Sequence, residues 1–176
     1  QAGYGDGTPT NTSPALAEQM QIAIDKGITK YTPVAVRLEP DTYCYGDQGD
    51  TQQGWWDDEH WAKYGTLQEP YETFATFAGK IRSMGGKVFT YIQGSMPSND
   101  FALAHPDWML NADISLLYEH HKHARPFVRF DFTNPEFQDY TRQMWTRLGN
   151  DGVEGIKFDY PESAWAFDGG FEDASY

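Results

Sequence analysis

A parallel α/β fold is predicted by three observations. Helical stripes of 3.6-residue period alternate with short β-branched runs, in the order helix, strand, loop, helix, strand, loop, helix, strand. Prolines and glycines punctuate nearly every junction between them. Two of the strands also end on carboxylates, Glu39 with Asp41 and, later, Asp159, at the edge where (β/α) barrels keep their chemistry. Three main strands fall short of the eight that close such a barrel, so residues 1–176 are expected to be the N-terminal portion of a (β/α)8 catalytic domain.

Taken in order, residues 1–13 read as loop, with Ser13 as N-cap and Pro14 at the first helical position. Leu16, Met20, Ala23 and Ile24 give a helix over 14–26, closed by Gly27. The run 31–38 is a strand with its proline near the start. Residues 42–68 form a long loop rich in tryptophan, tyrosine and acids, which reads as a binding loop. Pro70 is expected to start a helix over 71–84, with Tyr71, Phe74, Phe77, Ala78, Ile81 and Met84 on one face and Gly85-Gly86 at its end. A strand follows at 87–93. Residues 94–126 are irregular apart from a short helix near 100–104, and 127–132 alternates like a half-exposed strand. Asn134-Pro135 starts a helix over 135–148 ended by Gly149, and 155–159 is the last strand. An aromatic, acidic tail closes the chain.

Composition narrows the function classes. An apolar content of 39% with 16% aromatic residues is enough for a core. The net charge of −13 and the lack of a Lys/Arg cluster argue against nucleic acid and anionic membrane surfaces, and leave neutral or cationic ligands. No apolar run is long enough to span a bilayer. The single cysteine, Cys44, excludes an internal disulfide and reads as a small buried residue. The chain opens on Gln1, which reads as a processed or excised N-terminus, and the expected location is secreted or periplasmic.

The chemistry is expected at the strand tips. Period two puts Lys157 and Asp159 on one face of their strand, and Glu39 and Asp41 on one face of theirs. An ammonium beside a carboxylate favours the ionised form that a nucleophile needs, although a plain ion pair at a strand end has the same spacing. Gln93, at the tip of the middle strand, is expected to converge on the same place. Trp55, Trp56 and Trp61 are either stacking platforms for sugar rings or a loop folded over its own aromatics. His120, His121 and His123 sit in a charged loop without a partner cluster, and His105 reads as structural, so no metal or cofactor is expected.

Three ordered segments resemble the melibiase-type α-galactosidases of glycoside hydrolase clan D, nearest to family 36: 85–110, with its His-Pro-Asp-Trp at 105–108; FVRFDFTNPEFQDY at 127–140; and GIKFDYPES at 155–163. The resemblance implies a partial TIM (β/α)8 barrel, roughly strands 2 to 4 with their helices. It implies that Asp159 is the nucleophile of a retaining α-glycosidase acting on terminal α-galactosides or α-N-acetylgalactosaminides, and that Lys157 contacts sugar hydroxyls. It places the acid/base beyond Tyr176, so the isolated chain is expected to be inactive and to need the remainder of the barrel, from the same protein or a complementary chain. The family's Asp-Asp-Gly-Trp strand end is missing. Glu39 with Asp41, or Asp57-Asp58 after Trp56, are the candidate substitutes, and Glu162 supplies a carboxylate where the family has an amide. A non-catalytic carbohydrate-binding barrel fragment, or a barrel hydrolase using Asp159 as base or metal ligand, are the alternatives.

Overall fold

The structure, a computed structural model, describes residues 12–38, 58–63, 65–97, 100–113 and 127–159. Two compact units divide the chain, one made of residues 1–41, 56–91 and 146–157, the other of 42–55, 92–145 and 158–176. Helices α1 (Ser13–Asp25), α2 (Asp58–Lys63), α3 (Phe74–Ser83), α4 (Asp100–Ala104) and α5 (Pro135–Asp151) accompany strands β1 (Ala35–Arg37), β2 (Lys87–Gln93), β3 (Ser95–Pro97), β4 (Phe127–Arg129) and β5 (Gly155–Asp159). The expected parallel sheet is present, in the order β1-β2-β5, and it is open. It is an unclosed segment of a (β/α) barrel, flanked by helices.

In the first unit, β1 runs parallel to β2 with Ala35, Val36 and Arg37 opposite Lys87, Val88 and Phe89. Alternation sorts the side chains onto two faces. Val36, Leu38, Val88 and Thr90 are buried, and a Cβ added at Gly86, of the same parity, would lie 2.9 Å from Met20 of α1 and Ile81 of α3. That face packs on the helices. Ala35, Arg37, Lys87, Phe89 and Tyr91 lie on the other face and are half-buried or exposed. β5 joins this sheet through the Glu154 N–H, which donates to Val88 O at 2.8 Å.

Several boundaries differ from the sequence expectation, each for a local reason. The α1 N-cap is Thr12, whose hydroxyl accepts from the Ala15 N–H, and not Ser13. Ser13 is buried and ties down a distant turn, donating to Tyr71 O at 2.8 Å and accepting from the Gln68 N–H at 3.0 Å. The strand expected at 31–38 shrinks to Ala35–Arg37, because Tyr31 and Thr32 donate back to Ile28 in a 3-10 turn and Pro33 has no N–H for a ladder. Pro70 does not start a helix. α3 begins at Phe74, where Thr73 and Thr76 form a reciprocal capping box. Within the expected loop at 42–68, residues 58–63 form α2, and Trp61 is 1% exposed with its ring edge-on to Phe74 at 5.8 Å. Gly149 lies inside α5, which runs on to Asp151 before Gly152 turns the chain at φ 101°.

The second unit holds an antiparallel ribbon that the sequence reading missed on one side: β3 pairs with β4, Ser95 opposite Arg129. The strand expected at 127–132 stops at Arg129 because Asp131 turns inward, its carboxylate accepting from the Thr133 N–H at 2.8 Å and hydroxyl at 2.6 Å. Asn134 then caps α5, accepting from the Glu136 and Phe137 N–H groups. The core here is aromatic, with Phe130 stacked on Phe137 at 4.7 Å and Phe101, Trp108 and Tyr140 around them. Arg129 forks onto Asp113 through Nε and Nη2 at 2.8 and 2.9 Å, and its N–H donates to the same carboxylate.

Two stability outcomes follow from this packing. A Cβ at Gly155 would fall 2.6 Å from the Phe89 ring, so Gly155→Ala is expected to cost about 1–3 kcal/mol through overpacking, read as a lowered denaturant midpoint. The Asp151 carboxyl is pushed above its ordinary 3.8 by burial first and the Asp58 carboxylate second, with Arg147 opposing. An acid with a raised folded pKa holds its proton more tightly when folded, so stability falls as pH climbs from 3.8 through the raised value. Asp151→Asn is therefore expected to be more stable than the parent at neutral pH, with the difference vanishing in acid.

Candidate active site

Strand β5 builds the centre of the site. Gly155 lets it lie against Phe89 of β2, where an added Cβ would fall 2.6 Å from the ring. Two residues on, half-buried Lys157 places Nζ over the Tyr91 ring, 5.2 Å from its centroid. Arg37 of β1 shares that face through its pairing with Phe89. The sheet face turned away from the helices thus carries Arg37, Tyr91 and Lys157, two cations flanking an aromatic ring in a chain of net charge −13.

Asp159 is the last residue of β5 and Gln93 the last of β2. Phe158, between Lys157 and Asp159, turns the other way and meets Phe132 edge-on at 6.3 Å. Of the remaining expected site residues, Glu39, Asp41, Trp56, Asp57 and Glu162 lie outside the described residues, as do Trp55, Cys44, His120, His121 and His123. Asp58 opens α2, where its carboxylate accepts from the Phe74 N–H at 3.1 Å and so caps α3. Trp61 is core, which settles for this residue the choice between a sugar platform and packing.

Sequence reasoning passed over Tyr91 and Arg37. Each lies two residues before a strand tip already singled out, Gln93 and Glu39, but an aromatic ring or a cation inside a strand does not by itself mark a site. His105 lies flat on Trp108 with centroids 3.9 Å apart, and burial holds its imidazole below the ordinary pKa, with the Glu136 carboxylate opposing. Among the described residues no group of three or more histidine, cysteine or acidic side chains is placed to hold a metal ion, and no helix is long and apolar enough to cross a membrane.

Comparison with known proteins follows the same lines. No protein-family model and no curated protein matches the sequence. Solved structures do match. A GH31 α-xylosidase from Xanthomonas citri superposes with a TM-score of 0.55 at 11% identity, over 94% of this chain and 16% of the other. The galactosidase domain of an α-galactosidase–sucrose kinase gives 0.55 at 18% identity over 84% and 19%, and a maltogenic α-amylase from Thermotoga neapolitana 0.53 at 16% over 83% and 34%. The chain therefore spans between a sixth and about a third of these proteins, and what it shares with them is the fold of their barrels.

Proposed function

We propose that the chain carries the nucleophile half of a retaining α-glycosidase acting on terminal α-galactosides or α-N-acetylgalactosaminides. The observation that carries this reading is the position of Asp159 as the last residue of β5, two residues beyond a lysine seated on Tyr91. Strand alternation gives Asp159 the parity of Lys157 along β5, and an ammonium close to a carboxylate would favour the ionised form that a nucleophile needs. Asp159 attacks the anomeric carbon, the glycosidic C–O bond breaks, and the leaving oxygen takes a proton from an acid/base carboxyl about 5–5.5 Å away. The same acid/base then deprotonates the water that cleaves the glycosyl ester.

That second carboxyl is assigned to later barrel elements, from the same protein or a complementary chain. Ile156 and Phe158, on the opposite face of β5, remain 37% and 43% exposed, apolar surface of the kind that a following strand and helix cover in a closed barrel. In the barrel-complete enzyme Asp159→Asn is expected to lower kcat on an aryl α-galactoside by a thousandfold or more, on the order seen for lost nucleophiles, with unchanged circular dichroism. Near-parental turnover by that variant would move the chemistry to Glu162 or Asp41.

A further inference from the structure

An open groove of about 460 Å³ lies wholly within the second unit, walled by Trp108 and Tyr140 and edged by Pro135, Glu136, Asp139 and Gln143 of α5. Its volume falls within the range of small-ligand sites, about 300–1,000 Å³. We propose that this groove is a second carbohydrate site, taking a neutral pyranose against Trp108 and Tyr140 with its hydroxyls on Glu136, Asp139 and Gln143. The inference rests on the glycosidase reading only for the class of sugar used as probe.

The groove has the two parts that pyranose recognition needs. One wall is aromatic: the Trp108 and Tyr140 rings sit 5.1 Å apart, with Phe137 5.7 Å from the indole and His105 lying flat on it, so the indole is held in place. Flat, rigid rings suit the apolar C–H face of a sugar and lose little side-chain entropy on binding. The other wall is polar and pre-arranged. Glu136, Asp139, Tyr140 and Gln143 share one face of α5 by their three- and four-residue spacing. The Asp139 carboxylate is held from both sides, by Arg142 Nη1 at 2.6 Å and Gln143 Nε2 at 2.9 Å. The Gln143 amide brings a carbonyl oxygen and a second N–H, so the edge offers both acceptors and a donor to a ring of hydroxyls.

The same geometry argues for a neutral ligand over a cation. Arg142 pairs with Asp139, so among the described residues Glu136 is the remaining carboxylate of the groove, at an exposed edge where one carboxylate attracts a cation only weakly. A polyol uses all three polar side chains.

The test uses the barrel-complete protein carrying Asp159→Asn, with tryptophans replaced by 5-fluorotryptophan and the Trp108 fluorine signal assigned from Trp108→Phe. Methyl α-galactopyranoside is expected to shift the Trp108 signal saturably, with a dissociation constant on the order of millimolar. The Glu136→Ala/Gln143→Ala pair, both exposed and outside the core, is expected to weaken that response tenfold or more. A Trp108 signal unmoved at sugar concentrations on the order of 100 mM overturns the inference. So does an unchanged affinity in the double variant, or a response to tetramethylammonium and not to the sugar. A Trp108 response in a protein whose hydrolysis proves independent of Asp159 would leave the groove standing and remove the nucleophile assignment alone.

Discussion

The fold of the first unit depends on one close approach: the Phe89 ring occupies the space that any side chain at position 155 would need. Because residue 155 has no Cβ, the Phe89 ring of β2 can lie against β5, which the Glu154 N–H to Val88 O bond ties to that strand. Strand alternation then sorts the residues further along β5. Lys157 reaches Tyr91, Phe158 turns to Phe132, and Asp159 arrives at the strand tip. A second approach of the same kind operates on the opposite face, where Gly86 admits Met20 and Ile81, so that α1 and α3 close over the sheet. Two glycines, one on each face, define the sandwich of helix, sheet and candidate site.

Much of this was legible in the sequence, and the legible parts share a cause. Strands 87–93 and 155–159 and helix 100–104 were read with the bounds observed, because apolar run and punctuation agreed at both ends. Errors arose where a residue had two possible uses. Ser13 and Thr12 are both good caps, and the distant turn at Gln68–Tyr71 claims Ser13, a contact that no local pattern reveals. Pro70 is a fitting helix start until Thr73 and Thr76 form a better one. Gly149 resembled a stop, yet the turn needing positive φ came three residues later, at Gly152.

At the candidate site, alternation in the sequence gives Lys157 and Asp159 the same parity along β5. It was not enough to find Tyr91, because an aromatic residue inside a strand is ordinarily core, and only the three-dimensional register sets it beneath an ammonium. Trp61 shows the reverse case. Its neighbourhood of acids and tryptophans looked like a binding surface, whereas its burial against Phe74 makes it part of the unit's core. Asp58 is similarly engaged as a helix cap. Tryptophan and aspartate serve packing and capping as readily as they serve sugars, so composition alone does not separate these uses.

The central claim is that the last residue of β5 is the nucleophile of a double-displacement reaction. Its most direct measurement is mass-spectrometric mapping of the covalent adduct formed when the barrel-complete enzyme is treated with an activated fluorinated α-galactosyl donor, whose glycosyl ester hydrolyses slowly. The account predicts one glycosyl unit per protein, carried by the peptide that contains Asp159. An adduct on a peptide lacking Asp159, or no adduct together with hydrolysis that inverts the anomeric configuration, would contradict it.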